Sequence, residues 1–380
     1  MGEVRSHPTA LMGTEASCPG YLHPELQSTS TVNFERATSR SLQILPDLDS
    51  SGSGLANANV PEGRSIYTTC VAPRVRLRGE PMVEKPYLFA NDRPGRRADV
   101  VALAQEVEAR DFPGLFAESP GDNLALSLAK LDRTKRIAVG TGIAGIYLRH
   151  PHTMATGASL IEELHPGRFL LGLGTSHIPF HEEMGIRYGK PLEDMRRYVR
   201  NIRSVTEGVP CPPIIVAALR KRMSALAGEI GDGVMWANAA LSHLPFSLAQ
   251  IPPERRSSMI LSNSAPACVS EDHGAALLAI KRYLLFYLKL PNYQSYFVEA
   301  GYEAEVMAAR SAIANGDDEN LMAAIPERMA SDIALFGTKT EVLEKAEAWA
   351  AAGITHLVLD STSTSGDRLK AAYEIIVAFT

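Results

Sequence analysis

The chain of 380 residues has a net charge of −5 and is 45% hydrophobic; it can therefore bury a large core, and its charge, with no basic stripe interleaved with aromatics, argues against a nucleic-acid-binding surface. Its four cysteines, Cys18, Cys70, Cys211 and Cys268, are widely spaced with no Cys-x-x-Cys pair, which argues against a disulfide framework or a metal centre and for a reducing cytoplasm. No apolar run approaches bilayer length and the first residues lack the charged-then-apolar layout of a secretory signal, so a soluble intracellular protein is expected, with no membrane or nucleic-acid partner.

Residues 1–82 stand apart. Ser, Thr, Gly, Asn and Pro dominate, as in Gln27-Ser-Thr-Ser-Thr31 and Asp49-Ser-Ser-Gly-Ser-Gly54, and such a segment buries too little apolar surface to offset its ordering entropy. The expectation is a low-complexity, disordered extension, with one folded domain over 83–380.

Order is expected from Lys85. Pro86-Tyr-Leu-Phe-Ala90 reads as a first strand, and Val100, Ala104 and Val107 recur at helical spacing within 97–110. Gly114-Leu-Phe-Ala117 is a second strand ending at Glu118. A helix over Asp122–Leu131, with Asp122 as its cap, leads to a third strand, Arg136–Thr141. Pro151 opens the next helix, with Met154, Ala158, Ile161 and Leu164 on one face. The run Phe169–Leu173, too short for a helix and entered from the turn His165-Pro-Gly167, is a central parallel strand. It runs into Gly174-Thr175-Ser176, where glycine permits close backbone approach and the hydroxyls and N–H groups suit an oxyanion; His177 adds a titratable group at the same rim.

Beyond a loop carrying His181, Tyr188 and Lys190, a helix over 191–206 turns Leu192, Met195, Val199 and Ile202 inward. Ile214–Ala218, Gly233–Trp236 and Ser258–Leu261 are strands five to seven, with a helix over Met223–Ile230 between the first two. A long helical stretch over 272–329 is followed by a helix marked by Val342, Ala346 and Trp349. The last strand, His356–Leu359, and a closing helix over Asp367–Ala378 complete the chain. Eight strand-helix units predict an α/β fold, a (β/α)8 TIM barrel with a helical insertion before the last strand. The rival, a doubly wound open sheet, lacks its Gly-x-Gly-x-x-Gly turn after the first strand. In such a barrel the strand carboxyl ends share one mouth, so Glu118, Gly142-Ile143, Thr175-Ser-His177, Ala218-Leu-Arg220 and Trp236 become neighbours.

The succession Arg136-Ile-Ala-Val-Gly-Thr-Gly-Ile-Ala144, Leu148-Arg-His-Pro151, Gly167-Arg-Phe-Leu-Leu-Gly-Leu-Gly-Thr-Ser-His177, Tyr188-Gly-Lys-Pro-Leu192, Gly231-Asp-Gly233 and Phe286-Tyr-Leu-Lys-Leu-Pro-Asn-Tyr293 resembles the bacterial-luciferase-like superfamily. Within it the likeness is to the branch of deazaflavin (coenzyme F420)-dependent oxidoreductases, over roughly residues 85–380. The resemblance implies two-electron hydride transfer between the deazaflavin and a small organic substrate. It also implies a non-prolyl cis peptide after the third strand, at Gly142-Ile143 with Ala144, backing the cofactor ring.

The cofactor phosphate would be held by Gly174, Thr175 and Ser176 and by Ala218, Leu219 and Arg220. At the second of these places relatives usually read Ala-Ala-Leu-Gly-Pro-Lys-Met, and this chain has Ala217-Ala-Leu-Arg-Lys-Arg-Met223. Glu118 and His177 are the expected proton-handling pair; the bland alternatives are a helix-capping or ion-paired Glu118 and a hydrogen-bonded rim His177. Arg149 and His150 read as orienting a helix start, His181 as solvent-facing, and Trp236 more as packing than as a stacking platform. Two other readings stay open: an FMN-dependent monooxygenase, and a barrel that has lost catalysis and serves as a binding or structural subunit, to which the Arg220–Arg222 departure points. An apolar face around Leu284, Leu285 and Tyr287 packs either on the barrel or between the subunits of a homodimer.

Overall fold

A computed structural model describes residues 85–91, 94–117 and 121–380. The proposed extension, residues 1–82, and Glu118 lie outside the described residues. In chain order the elements are β1 (Tyr87–Phe89), α1 (Arg97–Ala109), β2 (Gly114–Ala117), α2 (Asn123–Asp132), β3 (Ala138–Thr141), β4 (Ala144–Gly145), α3 (Pro151–Leu164), β5 (Phe169–Gly174), α4 (Ile178–Glu183) and α5 (Pro191–Val205). They continue with β6 (Ile214–Ala217), α6 (Lys221–Ile230), β7 (Gly233–Ala237), α7 (Leu244–Ala249), α8 (Pro253–Arg256), β8 (Ile260–Val269) and α9 (His273–Leu288). The last are α10 (Pro291–Glu299), α11 (Glu303–Asn315), α12 (Asp318–Ala323), α13 (Glu327–Ile333), β9 (Leu335–Gly337), α14 (Lys339–Ala351), β10 (His356–Ser361) and α15 (Arg368–Ala378).

Eight strands close a ring in the order β1-β2-β3-β5-β6-β7-β8-β10, and β10 pairs back onto β1. Every pairing is parallel, so the predicted α/β TIM barrel is the fold. The two remaining strands are short additions, β4 against the end of β5 and β9 against the end of β8.

Alternation along the strands separates two cores. Phe89, Phe116, Leu170, Ile215, Met235 and Val358 fill the barrel, while their sequence neighbours Leu88, Leu115, Leu171, Val216, Val234 and Leu359 face the helices. The Phe116 ring fits because its cross-strand partner is Gly140, where a Cβ would stand 2.4 Å from the ring. Among the described residues no helix is long and apolar enough to cross a membrane.

The eight predicted barrel strands are all present, and the differences lie elsewhere. The seventh runs over Ile260–Val269 rather than ending at Leu261. The insertion is five helices, α9 to α13, rather than one helical stretch, and β9 follows it. A predicted loop contains α4. Leu164, expected on the inner face of α3, is 56% exposed, and Tyr198 is buried on α5 in addition to the expected Met195, Val199 and Ile202. Leu284 is buried, with Leu285 and Tyr287 packed on the same core, so that face of α9 covers its own barrel.

Candidate active site

Parallel pairing brings the ends of β3, β5 and β6 to one side of the barrel. Past β3 the Gly142–Ile143 peptide is cis, as the resemblance implies. Glycine is required at 142 by space, since a Cβ would lie 2.7 Å from Phe89 Cζ. The Ile143 carbonyl accepts from Asn123 Nδ2 at 2.9 Å, and Asn123 is itself buried at the start of α2. Ile143 then lies over Gly174 at the end of β5: a Cβ at 174 would be 2.7 Å from Ile143 Cγ1 and 3.2 Å from Ala217 Cβ. Ala144 pairs with Leu173 in β4 and is buried in the core between strands and helices, so it offers backbone rather than a side chain to the mouth.

The turn after Gly174 has Ser176 in the left-handed region at φ 58°. His177 then serves as the N-cap position of α4. On the neighbouring strand, Ala218 N donates to Met235 O at 2.9 Å, Leu219 packs on the core, and Arg220 is the N-cap residue of α6 without a side-chain capping bond. Thr175-Ser176 and the first N–H groups of α6 thus lie on adjacent strand ends, an arrangement suited to an anion. Arg220 does not point its charge there: Nε and Nη2 donate to Glu299 Oε1 on α10 at 2.9 and 2.5 Å. Lys221 and Arg222 are exposed.

The roof of the mouth comes from the insertion. The His177 ring is surrounded by Phe180, Phe286, Tyr287 and Tyr293, with centroids 5.9 to 6.2 Å away. Burial and, secondarily, nearby His181 push the His177 pKa down to about 4, and its Nδ1 has no hydrogen-bond partner. His177 is therefore neutral at pH 7. His181 is not solvent-facing as expected: it is 2% exposed, because α4 folds it beneath Tyr147 and Tyr188, whose rings are 5.3 and 5.6 Å away. Burial lowers its pKa, opposed in part by the Thr175 backbone, and neither ring nitrogen makes a hydrogen bond of ordinary geometry.

Trp236 is fully buried, packs in the outer core and donates from Nε1 to Ser224 Oγ of α6 at 3.1 Å. It packs as expected and faces away from the mouth, so it does not join the segments that follow β3, β5 and β6. Arg149 pairs with Asp122, and His150 Nδ1 accepts from His152 N; both orient helix starts as expected. Asp122 caps α2 by accepting from Ala125 N at 3.2 Å. A cavity of about 390 Å³ opens between residues 146–151 and α5, but none of the expected site residues lines it.

Two polar groups at this end were not anticipated. Asp360, 4% exposed, sits at the end of β10 in ion pair with Arg368 and accepts from Tyr283 OH at 2.8 Å. An acidic residue directly after the apolar run Leu357-Val-Leu359 was the available signal. Asn238, just past β7, has φ 53° and is 1% exposed, and neither side-chain atom has a hydrogen-bond partner.

A closed parallel barrel whose strand ends gather a glycine-cushioned bulge and a hydroxyl-bearing turn at its C-terminal mouth is the architecture of a barrel enzyme. The sequence model of the luciferase-like monooxygenase family matches residues 88–356, and the chain belongs to that family; it is an oxidoreductase. It is 26% identical over 262 residues to the 5,10-methylenetetrahydromethanopterin reductase of Archaeoglobus fulgidus, covering 60% of this chain and 78% of that one. It is 26% identical over 331 residues to a Mycobacterium tuberculosis protein that carries the name of a coenzyme F420-dependent oxidoreductase, covering 73% and 94%. The fold is similar to that of the coenzyme F420-dependent tetrahydromethanopterin reductase of Methanopyrus kandleri, with a TM-score of 0.62 at 18% identity over 77% of this chain and 97% of that one.

Proposed function

We propose that the protein transfers a hydride between coenzyme F420 and a small organic substrate at the C-terminal mouth of the barrel. The observation that carries this reading is the fit between Ile143 and Gly174: the bulge is laid flat over a residue with no side chain, directly beside the Thr175-Ser176 turn. That leaves a surface for a flat ring on Ile143 and a place for a phosphate one strand-end away. The names of the relatives favour a deazaflavin over FMN. When bound, the cofactor supplies the two-electron chemistry, and the protein's part is to orient, desolvate and handle protons.

The residues divide that work as follows. Ile143, held through its carbonyl by Asn123, backs the ring. Gly174, Thr175 and Ser176, with the Ala218-Leu219-Arg220 segment that leads into the N-terminus of α6, surround the phosphate; hydroxyls of the first turn and main-chain N–H groups beyond Ala218, whose own N–H is held by Met235, hydrogen-bond it. Phe180, Phe286, Tyr287 and Tyr293 keep water from the reacting face. A neutral His177 both donates and accepts, so it can take up the proton released when a substrate alcohol is oxidised, or return one in reduction, with Glu118 as second acid-base group.

Mixing the purified full chain with coenzyme F420 and, separately, with FMN, and following retention by absorbance and calorimetry, tests the proposal. F420 retained more tightly than FMN is the expected result. Retention of FMN alone, with oxygen consumed on adding substrate, would move the reading to a monooxygenase. Retention of neither at high micromolar concentration would refute both.

A further inference from the structure

We infer that Asn238 is a ligand-reading residue, and that the group it reads is uncharged and planar with a hydrogen-bond donor and acceptor side by side, as in a lactam or carboxamide edge. The inference rests on placing the reaction at the mouth described above. Asn238 follows β7, and its backbone is fixed there: its N–H donates to Ser264 O at 2.8 Å and its φ of 53° is a conformation that asparagine tolerates better than most residues. The side chain has no such anchor. It is 1% exposed, yet neither Oδ1 nor Nδ2 has a partner, which buried amides seldom show unless something else supplies one. An asparagine amide presents an acceptor and donors in one plane, and its complement is a group presenting the reverse pair.

The surroundings give shape and charge. The Tyr293 phenol lies against the Asn238 amide, close enough to interact with it but without a hydrogen bond of ordinary geometry. The same ring is 5.9 Å from His177 and 4.8 Å from Tyr287, so the amide looks along an aromatic roof that suits a flat group. The strongest charges of the mouth are already matched, Arg220 by Glu299 and Asp360 by Arg368 and Tyr283. A ligand carboxylate or ammonium beside Asn238 would be desolvated without a counter-charge, whereas a neutral amide edge would not.

A lactam edge could belong to the substrate or to the pyrimidine end of a flavin-like ring, and the experiment separates these. Binding of 2-quinolone and of quinoline-2-carboxylate to the full chain is measured by saturation-transfer NMR and calorimetry. The comparison is wild type against N238D, which keeps the size and backbone preference but removes the donors, with melting curves confirming the fold. N238G, which accommodates the same φ, replaces N238D if the latter does not fold. The lactam is expected to bind wild type, to lose at least tenfold in the variants, and to bind more tightly than the carboxylate. Equal binding by wild type and variant, a carboxylate that binds as tightly, or no lactam binding at millimolar concentration would each overturn the inference. Repeating the titration with saturating coenzyme F420 or FMN assigns the edge: displacement of the lactam gives it to the cofactor ring, simultaneous binding to the substrate. Because the lactam titration needs no cofactor, failure of cofactor retention would refute the proposed reaction and leave the Asn238 result to stand or fall separately.

Discussion

Ile143 and Gly174 occupy one another's space: the absent Cβ of residue 174 would stand 2.7 Å from Ile143 Cγ1 and 2.8 Å from Cδ1. Contact at that distance is not available to real carbons, so the position of the bulge at the barrel mouth depends on glycine across from it.

Gly174→Ala should therefore displace Ile143 and destabilise the protein by about 1–3 kcal/mol, the usual cost of one methyl too many in a packed place. Trimming the partner in the double variant Gly174→Ala/Ile143→Ala should recover part of that loss, a non-additive coupling of roughly 1 kcal/mol in denaturant unfolding. Additive effects would show that the two side chains do not meet. Cofactor retention should fall in the single variant even where the fold survives.

Arg220 offers a different balance. The residue stands where the family resemblance implies a glycine, and its guanidinium reaches α10 instead of the Thr175-Ser176 turn. Its side chain is about half exposed, so the pair with Glu299 is screened by solvent and should contribute less than about 1 kcal/mol. Arg220→Gly is expected to lower stability only slightly and to tighten binding of a phosphate-bearing cofactor by opening the approach to the α6 N-terminus. Titrations of F420 and of FMN against wild type and variant check this; weaker binding by the variant would show that the arginine itself holds the phosphate.

How far these features could be read from the chain depends on how local their causes are. All eight barrel strands were legible, because each is a short apolar run set off by turn residues. The full length of β8 was not: Ser262, Asn263, Ser264 and Pro266 break its apolar pattern, and it stays extended only because β7 and β10 flank it. His181 sits in the polar stretch His181-Glu-Glu183, and only the fold of α4 under two tyrosines buries it. The neutral state of His177 comes from Phe286, Tyr287 and Tyr293, more than a hundred residues away in sequence, and Trp236 was misplaced because one step along a strand reverses the face.

Acid should destabilise the protein before most carboxylates titrate. His177 and His356 both have pKa values pushed down to about 4, mainly by burial, against about 6.5 when unfolded. Between those values the unfolded chain binds the extra protons, so stability is complete above about pH 6.5 and falls as the pH drops toward 4. Each histidine gives a limiting slope of about 1.4 kcal/mol per pH unit. His356 stacks on Tyr87 at 5.0 Å inside the barrel, so His356→Phe keeps the ring contact and removes one titration. Urea unfolding at pH 7 and pH 5 should show a smaller loss in this variant than in wild type; equal losses would mean that His356 does not titrate on unfolding.

Asp360 closes the barrel mouth at the eighth strand, and its partners differ in what their removal costs. Tyr283→Phe deletes the hydroxyl that bonds both Asp360 and Tyr287 but leaves the carboxylate paired with Arg368, so a loss of about 1–2 kcal/mol is expected. Asp360→Asn removes the charge that faces Arg368 and should cost more, on the order of 2–4 kcal/mol, toward the low end because Arg368 is partly exposed. Asp360→Asn/Arg368→Met removes both charges and should be more stable than Asp360→Asn alone, since a half-buried guanidinium no longer faces a neutral amide. Denaturant midpoints of the four proteins decide the matter: a double variant less stable than the single one would show that Arg368 is held by groups other than Asp360. Tyr283→Phe should also loosen the aromatic roof, because it removes the 3.2 Å contact between the Tyr283 and Tyr287 hydroxyls, and so weaken ligand binding at the mouth beyond its small effect on stability.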